Sequence, residues 1–258
     1  MIAKKLTDTA ALIVGGSSGV GLETARQLTQ AGVPRIALLG RDAERLRAAS
    51  ESVSRISGAE VVPLSADATD AAAAARAAAE AHTRLGSIDL LVNSVAGGAP
   101  PALLHEIDPA DIEPTLRGQL LAPLLMTRIV LPWMYEQEGG SIVNIASDAA
   151  KVATPGETVL GGAMAGIVTF TRAAALEAKR FGVRVNALTP SLIEGTPTTE
   201  LITRDGFSAK LFAHAAKQAH LGVPQPSDLA ALVVFLAGPD AQRLTGQAIS
   251  VNGGISAA

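Results

Sequence analysis

The sequence predicts a single α/β domain, a doubly wound parallel sheet of about seven strands with helices on both faces. Short apolar runs alternate with amphipathic helical stretches along the whole chain, and parallel strands need such crossover connections. Hydrophobic residues make up 48 % of the 258 residues and charged residues 17 %, which is enough apolar surface for a large core. Aromatic residues are only 3 %, so small aliphatic side chains fill that core.

The predicted strands are short apolar runs that stop at glycine or at a polar residue. Residues 10–14 are apolar at every position and are followed by Gly15 and Gly16, which indicates a strand buried on both faces. The remaining strands are predicted at 35–39, 60–64, 88–92, 141–145, 183–188 and 248–251.

The predicted helices have apolar side chains at helical spacing, and several end at glycine. They are expected at 20–31, 42–56, 69–85, 158–180 and 227–237. Two further helices are expected around 111–134, where Pro123 interrupts the longer apolar run. Since no linker, repeat or change of composition divides the chain, residues 1–258 are predicted to form one domain.

Composition excludes several classes of function. The net charge is −3 with no basic stripe, so a nucleic-acid partner is not expected. Cysteine is absent, which removes disulfides and thiolate metal sites, and the four histidines form no metal-binding motif, so no metal is expected. No secretory signal or membrane-spanning run is recognised, and the protein is predicted to be cytoplasmic, with no membrane partner.

A glycine-rich loop between the first strand and the first helix predicts nucleotide binding. Glycines at this place allow a tight turn, close approach of a pyrophosphate and packing of the helix on the sheet, while free N–H groups at the helix start attract phosphate. An ordinary structural turn is the alternative. The predicted phosphate-binding residues are Gly15, Ser17, Ser18, Gly19, Val20 and Gly21.

The end of the second strand favours NADP(H) over NAD(H). Folds that bind NAD usually place an acidic side chain there to hold the ribose 2′-hydroxyl. Here the strand ends in Gly40 and Arg41, and a guanidinium can pair with a 2′-phosphate. Two alternatives stay open: Arg41 is a solvated charge paired with Asp42 or Glu44, or Asp42 reaches the ribose.

The whole chain resembles the short-chain dehydrogenase/reductase family, which has a Rossmann-type dinucleotide-binding domain. The resemblance rests on the glycine loop, on residues 65–70, 89–96, 186–191 and 235–237, and on the C-terminal stretch 245–254. It departs from the family pattern at Val14, where Thr is usual, at Ser191, where Gly is usual, and after Asn93, where one Asn survives of two. The cofactor-binding residues that the resemblance adds are Asp67, Ala68, Asn93, Pro190 and Thr196.

The resemblance also implies features outside the cofactor site. The segment 191–221 would form a lid over a small-molecule substrate. The long helix at 158–180 and the helix before it would assemble the chain into a homo-tetramer or homo-dimer.

The residues that carry the family's chemistry are incomplete in this chain. The family uses a Ser, a Tyr and a Lys four residues after the Tyr, with an Asn in the preceding helix. Ser147 is retained, but the family's spacing puts Leu160 at the Tyr position, Met164 at the Lys position and Gln119 at the Asn position. The chain has a single Tyr, Tyr135, and the residue four positions later is Gly139, so no Tyr-x-x-x-Lys exists.

A substitute proton donor is sought among nearby titratable side chains. Glu157, one helical turn before Leu160, is the best candidate, because an acid held among apolar groups has a raised pKa. Asp148 and Lys151 lie on the same loop, and all three charges are otherwise expected to be solvated. His105 is a more distant candidate, while His214 and His220 lie in the lid segment.

Three functions remain open at this stage. The first is a divergent NADP(H)-dependent oxidoreductase that acts on a carbonyl, an alcohol or a related small molecule. The second is a catalytically inactive protein that binds the cofactor or assembles with an active relative. The third is a non-redox enzyme on the same fold. Fold by itself does not choose among them.

Overall fold

The computed structural model describes residues 4–96, 100–204 and 206–258. Seven strands form one sheet in the order β3-β2-β1-β4-β5-β6-β7, with every neighbouring pair parallel. The strands are β1 Ala10–Val14, β2 Arg35–Gly40, β3 Glu60–Ser65, β4 Leu90–Asn93, β5 Gly140–Ile145, β6 Val183–Thr189 and β7 Ala248–Ser250.

Helices cover both faces of this sheet, so the predicted doubly wound architecture is confirmed. The helices are α1 Gly19–Gln30, α2 Ala43–Ser57, α3 Ala71–Leu85, α4 Ile112–Leu116, α5 Ala122–Glu136, α6 Thr158–Ala178, α7 Pro197–Ile202, α8 Gly206–Gln218 and α9 Pro226–Ala237. One apolar core lies between the sheet and α3, α5 and α6. A second lies between the sheet and α1, α2 and α9. The central strands are buried by both layers, which explains their continuous apolar runs.

Most predicted boundaries differ from the observed ones by one or two residues, and two differences have a clear physical reason. Strand β4 begins at Leu90 and not at residue 88, because the Asp89 carboxylate accepts the Ala10 backbone N–H at 2.9 Å in place of a strand carbonyl. The two helices expected around 111–134 form a continuous helical stretch, in which a π-helical segment at Arg117–Leu121 joins α4 to α5. Pro123 has no backbone N–H to donate to the preceding turn. The wider π-helical turn comes directly before it, and the helix continues through Pro123.

Helix α6 is long and apolar enough to cross a membrane by length and composition, over Thr158–Phe181. In this structure its inner face packs against β6 and α5. The residues of that face are buried: Ala163, Met164, Ile167, Val168, Thr171, Ala174, Ala175 and Ala178. The outer face carries Leu176, which is 62 % exposed.

The segment 191–221, predicted as a lid, holds the short helix α7 and the helix α8. Both helices follow β6 at the carboxyl edge of the sheet, and Ile202 of α7 and Phe212 of α8 line the cleft described next. That the segment acts as a lid stays a prediction.

Candidate functional site

A cleft of about 740 Å³ opens at the carboxyl edge of the sheet. The edge includes the point between β1 and β4 where the strand order reverses, which is where ligands bind in open α/β sheets. Most of the predicted site residues line this cleft: Gly15, Ser17, Ser18, Gly19, Val20, Arg41, Asp67, Ala68, Gln119, Ser147, Glu157, Leu160, Met164, Pro190 and Thr196. Gly21 and Asn93, which were also predicted as site residues, are not among the residues that line the cleft.

The glycine loop is packed too tightly to accept side chains. A Cβ on Gly15, whose φ is +79°, would lie 2.0 Å from the Ser94 carbonyl oxygen. A Cβ on Gly21 would lie 2.3 Å from the Gly15 carbonyl oxygen. Gly21 thus lets the first turn of α1 pack closely against the loop, whereas the role predicted for it was packing of the helix on the sheet.

The start of α1 presents donors to the cleft. Ser18 precedes the helix in an extended conformation, and its side chain does not cap the helix. The first-turn N–H groups have no partner within the helix, and the helix dipole adds partial positive charge there. Gly19 approaches Thr196, whose Cγ2 would lie 3.7 Å from a Cβ at Gly19. The loop is a cradle that fits a pyrophosphate.

Asp67 follows β3 and is held in place by hydrogen bonds at that end of the cleft. Its Oδ1 accepts hydrogen bonds from the Thr69 backbone N–H and hydroxyl, each at 2.8 Å. These bonds, together with the charges of Arg41 and Arg117, hold the pKa of Asp67 below its ordinary value despite partial burial. Asp67 therefore presents an ionised carboxylate beside Ala68.

Three charged residues that follow β2 line the cleft: Arg41, Asp42 and Arg45. The Asp42 carboxylate caps α2 by accepting the N–H groups of Glu44 and Arg45, each at 3.0 Å. Both bonds fall on Oδ1, and Asp42 also lines the cleft, so the alternative in which Asp42 reaches the ribose stays open. Arg45, in the first turn of α2, also lines the cleft and was not singled out in the sequence.

Arg117 is a second cleft residue that sequence reasoning missed. It lies in the π-helical segment, and its guanidinium donates to the Thr69 carbonyl at 3.1 Å. No local pattern places residue 117 beside residue 69, so only the folded chain shows this contact.

Two apolar residues of α6, Leu160 and Met164, are those that the sequence analysis aligns with the Tyr and Lys positions. Leu160 and Met164 lie one turn apart on α6 and line the cleft near Ser147. Met164 is 5 % exposed and packs with Ala146, Ile167 and Val168. The Ser147 oxygen accepts the Ala149 N–H at 3.2 Å, which leaves its hydroxyl proton available to a ligand. Tyr135 is stacked on Phe181 and does not line the cleft.

Glu157 is the candidate acid that reaches the cleft. It immediately precedes α6 and lines the wall together with Ser147 and Leu160. Burial, and then the nearby charge of Asp148, raise the pKa of Glu157 to about 7. A carboxyl group with this pKa can exchange a proton with a ligand near neutral pH.

Asp148 and Lys151 face the C-terminal segment and not the cleft. The Asp148 carboxylate is 5 % exposed and accepts hydrogen bonds from the Ser256 hydroxyl at 2.6 Å and the Asn252 amide at 3.2 Å. The Lys151 ammonium donates to the Ser250 hydroxyl and the Ala258 carbonyl. Both side chains hold their loop against the C-terminal segment. Neither lines the cleft, so neither is placed to act as the substitute proton donor.

The three candidate histidines are exposed and lie outside the cleft wall. His105 has Glu106 as its charged neighbour at 4.0 Å, and His214 and His220 are exposed residues of the lid segment. Their positions therefore do not support a catalytic role for these histidines.

Replacing Ser256 by alanine is expected to lower the free energy of unfolding by about 1–3 kcal/mol, because a buried carboxylate loses a donor. Chemical denaturation measures the change. Ser57→Ala, which alters an exposed serine at the end of α2, is the matched control. Equal stability of the two variants would contradict the assigned role of the C-terminal segment in holding the loop that carries Ser147.

Asn93 forms a buried bridge under the cleft. Its amide donates to the Asn144 side-chain oxygen at 2.8 Å, and the Asn144 amide donates to the Thr171 hydroxyl at 2.9 Å. The side chain links β4, β5 and α6 and does not form part of the cleft wall. Its predicted effect on a cofactor would therefore act through the position of the neighbouring Ser94 and Val95.

Comparisons with known proteins agree on one family. A family model described as enoyl-(acyl carrier protein) reductase matches residues 14–256. Two relatives in Thauera aromatica are the BbsD and BbsC subunits of (2S)-[(R)-hydroxy(phenyl)methyl]succinyl-CoA dehydrogenase. BbsD is 34 % identical over 97 % of this chain and 98 % of its own, and BbsC is 36 % identical over 96 % and 94 %. The crystal structure of levodione reductase superposes with a TM-score of 0.89 at 28 % identity, covering 96 % of this chain and 97 % of its own.

Proposed function

The chain belongs to the short-chain dehydrogenase/reductase family of oxidoreductases, and from this membership we propose that it is an NADP(H)-dependent oxidoreductase that works without the Tyr and Lys pair. One observation carries the proposal: residues of the glycine-rich loop and a titratable carboxyl group, Glu157, line the same cleft. The substrate is a small molecule with a carbonyl, an alcohol or a related group.

The described residues fit a dinucleotide along the cleft. The Gly15–Gly21 loop would hold the pyrophosphate, and Asp67 with Ala68 would hold the adenine. Arg41, with Arg45 also on the cleft wall, would pair with a 2′-phosphate, which is the basis for preferring NADP(H). Pro190 and Thr196 would position the nicotinamide, and the bound cofactor would supply or accept a hydride.

Ser147 and Glu157 would handle the oxygen of the substrate. The Ser147 hydroxyl donates a hydrogen bond to the carbonyl oxygen and polarises it. Glu157 in its acid form delivers the proton that the oxygen needs. Its pKa of about 7 makes both the acid form and the ionised form accessible near neutral pH.

Assembly and location are part of the same proposal. Gly162 and Ala165 lie on the part of α6 that is not buried, where small side chains would let a second copy approach closely in a homo-dimer or homo-tetramer. Gly161, by contrast, faces the Ala149 carbonyl within the chain. A cytoplasmic location is retained as a prediction.

The direct test follows NADPH absorbance in the presence of ketones, quinones and enones. Turnover that Ser147→Ala lowers supports the proposed oxidoreductase. Tight NADPH binding without any turnover would overturn it and would favour the second candidate function below.

Arg41→Ala is expected to weaken NADPH binding by about tenfold to a hundredfold while NADH binding changes little, since charge-assisted bonds to a phosphate contribute about 1.5–3 kcal/mol. Fluorescence titration with both cofactors measures the ratio. Arg55→Ala, at an exposed residue near the end of α2, is the control. Equal losses for both cofactors would contradict a 2′-phosphate site at Arg41.

A second candidate function is a non-catalytic subunit that assembles with an active relative. Two observations favour it: the Tyr and Lys positions hold Leu160 and Met164, and relatives at 34 % and 36 % identity are two different subunits of one dehydrogenase. Co-expression with a relative that has the Tyr and Lys pair tests it. A mixed oligomer whose activity requires both chains supports this function.

A further inference from the structure

Charged side chains are distributed unevenly along the cleft. At the end formed by the termini of β2 and β3, Arg41, Arg45 and Arg117 line the wall together with the acids Asp42 and Asp67, and the Arg117 guanidinium donates to the Thr69 carbonyl. At the end formed by β5, α6 and the lid, Glu157 is the single charged side chain among the described residues that line the wall. A ligand in contact with this end meets a carboxyl group and no cation.

The carboxyl group of Glu157 has no hydrogen-bond or ion-pair partner among the described residues. The same wall carries the apolar side chains of Leu160 and Met164 from α6 and Phe212 from α8, together with the hydroxyl of Ser147. A charged carboxylate in such surroundings lacks the compensation that buried charges usually have.

The other charged groups near Glu157 do not supply that compensation. Asp148, from the turn after β5, is an acid and raises the pKa of Glu157 further. Lys151, the cation on the same loop, is bonded to Ser250 and Ala258. From the lid, the described cleft-lining residues of α7 and α8 are uncharged. A compensating positive charge would therefore have to come from the ligand.

We propose that the ligand at this end of the cleft carries a protonated nitrogen, as a primary or secondary amine or the corresponding iminium. Such a group brings both a positive charge and N–H donors to the unpartnered carboxylate. A lysine at position 164 would repel this ligand, whereas Met164 does not. The inference rests on the proposed oxidoreductase function and names the substrate class of the same site.

An iminium substrate would also reduce the need for the missing tyrosine. When its carbon accepts a hydride, with the reduced nicotinamide as reductant, the C=N π pair becomes the lone pair of nitrogen and the product is a neutral amine. No oxyanion forms, so no proton has to be delivered during that step. The amine then takes its proton from solvent. The acid form of Glu157 serves neutral carbonyls, and its ionised form pairs with the cation.

Calorimetric titration with three probes of one shape tests the proposal: benzylamine, benzyl alcohol and benzoate, each with the protein alone and with NADPH-loaded protein. We expect benzylamine to bind more tightly than benzyl alcohol by about tenfold to a hundredfold near pH 8, as a charge-assisted pair implies. The preference should shrink near pH 6, where Glu157 is mostly protonated. Glu157→Gln should abolish it, and Glu194→Gln, at an exposed acid outside the cleft wall, should retain it.

Equal binding of the three probes, tighter binding of benzoate, or an amine preference that survives in Glu157→Gln would each overturn the inference. The NADPH titration is read separately. Amine binding without NADPH binding would contradict the proposed oxidoreductase function but not the amine site at Glu157. NADPH binding without a preference for the amine would contradict the amine site but not the oxidoreductase function.

Discussion

Glu157→Gln is expected to lower the turnover of a carbonyl substrate by about 10²–10⁴-fold, the usual contribution of a general acid. Glutamine keeps the size and the hydrogen-bonding atoms of the side chain but has no acidic proton. Steady-state kinetics with NADPH measures the change. KM for NADPH should stay near its original value, because Glu157 lies at the opposite end of the cleft from Arg41 and Asp67.

The pH profile separates this chemical role from a structural one. Reduction of a neutral carbonyl needs the protonated carboxyl group, so activity should be highest below pH 7 and fall as the pH rises through about 7, the pKa of Glu157. The variant should lose this limb of the profile. A profile that keeps the same midpoint in Glu157→Gln would contradict the assignment.

The stability of the same variant is a control for folding. Because the folded-state pKa of Glu157 is raised above its ordinary value of 4.5, the folded protein binds more protons than the unfolded chain between about pH 4.5 and 7. This carboxyl group therefore makes the protein less stable as the pH rises through that window. Glutamine removes this cost, so Glu157→Gln should be at least as stable as the original near pH 8, and lost activity then cannot be ascribed to unfolding.

Gly15→Ala is expected to abolish detectable NADPH binding and to lower the free energy of unfolding by about 3 kcal/mol or more. The new Cβ would lie 2.0 Å from the Ser94 carbonyl oxygen, and φ is +79°. The Ser94 carbonyl belongs to the backbone and is not the flexible end of a side chain. Relief of this clash therefore requires a shift of β1 or of the loop after β4. Urea denaturation and NADPH fluorescence measure the two effects.

Gly19→Ala is the matched control for this variant. Its backbone is also in the left-handed region, with φ at +51°, but the nearest atom is 3.7 Å from an added Cβ. The cost of the backbone conformation alone is about 1–2 kcal/mol. If Gly15→Ala were no less stable than Gly19→Ala, the close approach to Ser94 would not be the reason that position 15 is glycine.

The sequence predicted the fold well because the apolar strand runs and the glycines at helix ends indicate the same architecture. Buried strands such as Ala10–Val14 are apolar at each position, and glycines such as Gly58 and Gly86 adopt left-handed conformations at helix ends. Such local signals do not depend on distant contacts. The π-helical segment at Arg117–Leu121 was not predicted, because its geometry depends on how α4 and α5 continue past Pro123 within the packed domain.

The glycine-rich loop and the absence of a Tyr-x-x-x-Lys pair were determined by the sequence itself, since both are patterns of residue type at short spacing. The tertiary structure decided which charged side chains face the cleft. Asp148, Lys151 and Glu157 lie within ten residues of one another, yet the C-terminal segment holds the first two and leaves Glu157 beside Leu160 and Met164. The direction in which a side chain points depends on partners distant in sequence, here residues 250–258, and no local pattern encodes those partners.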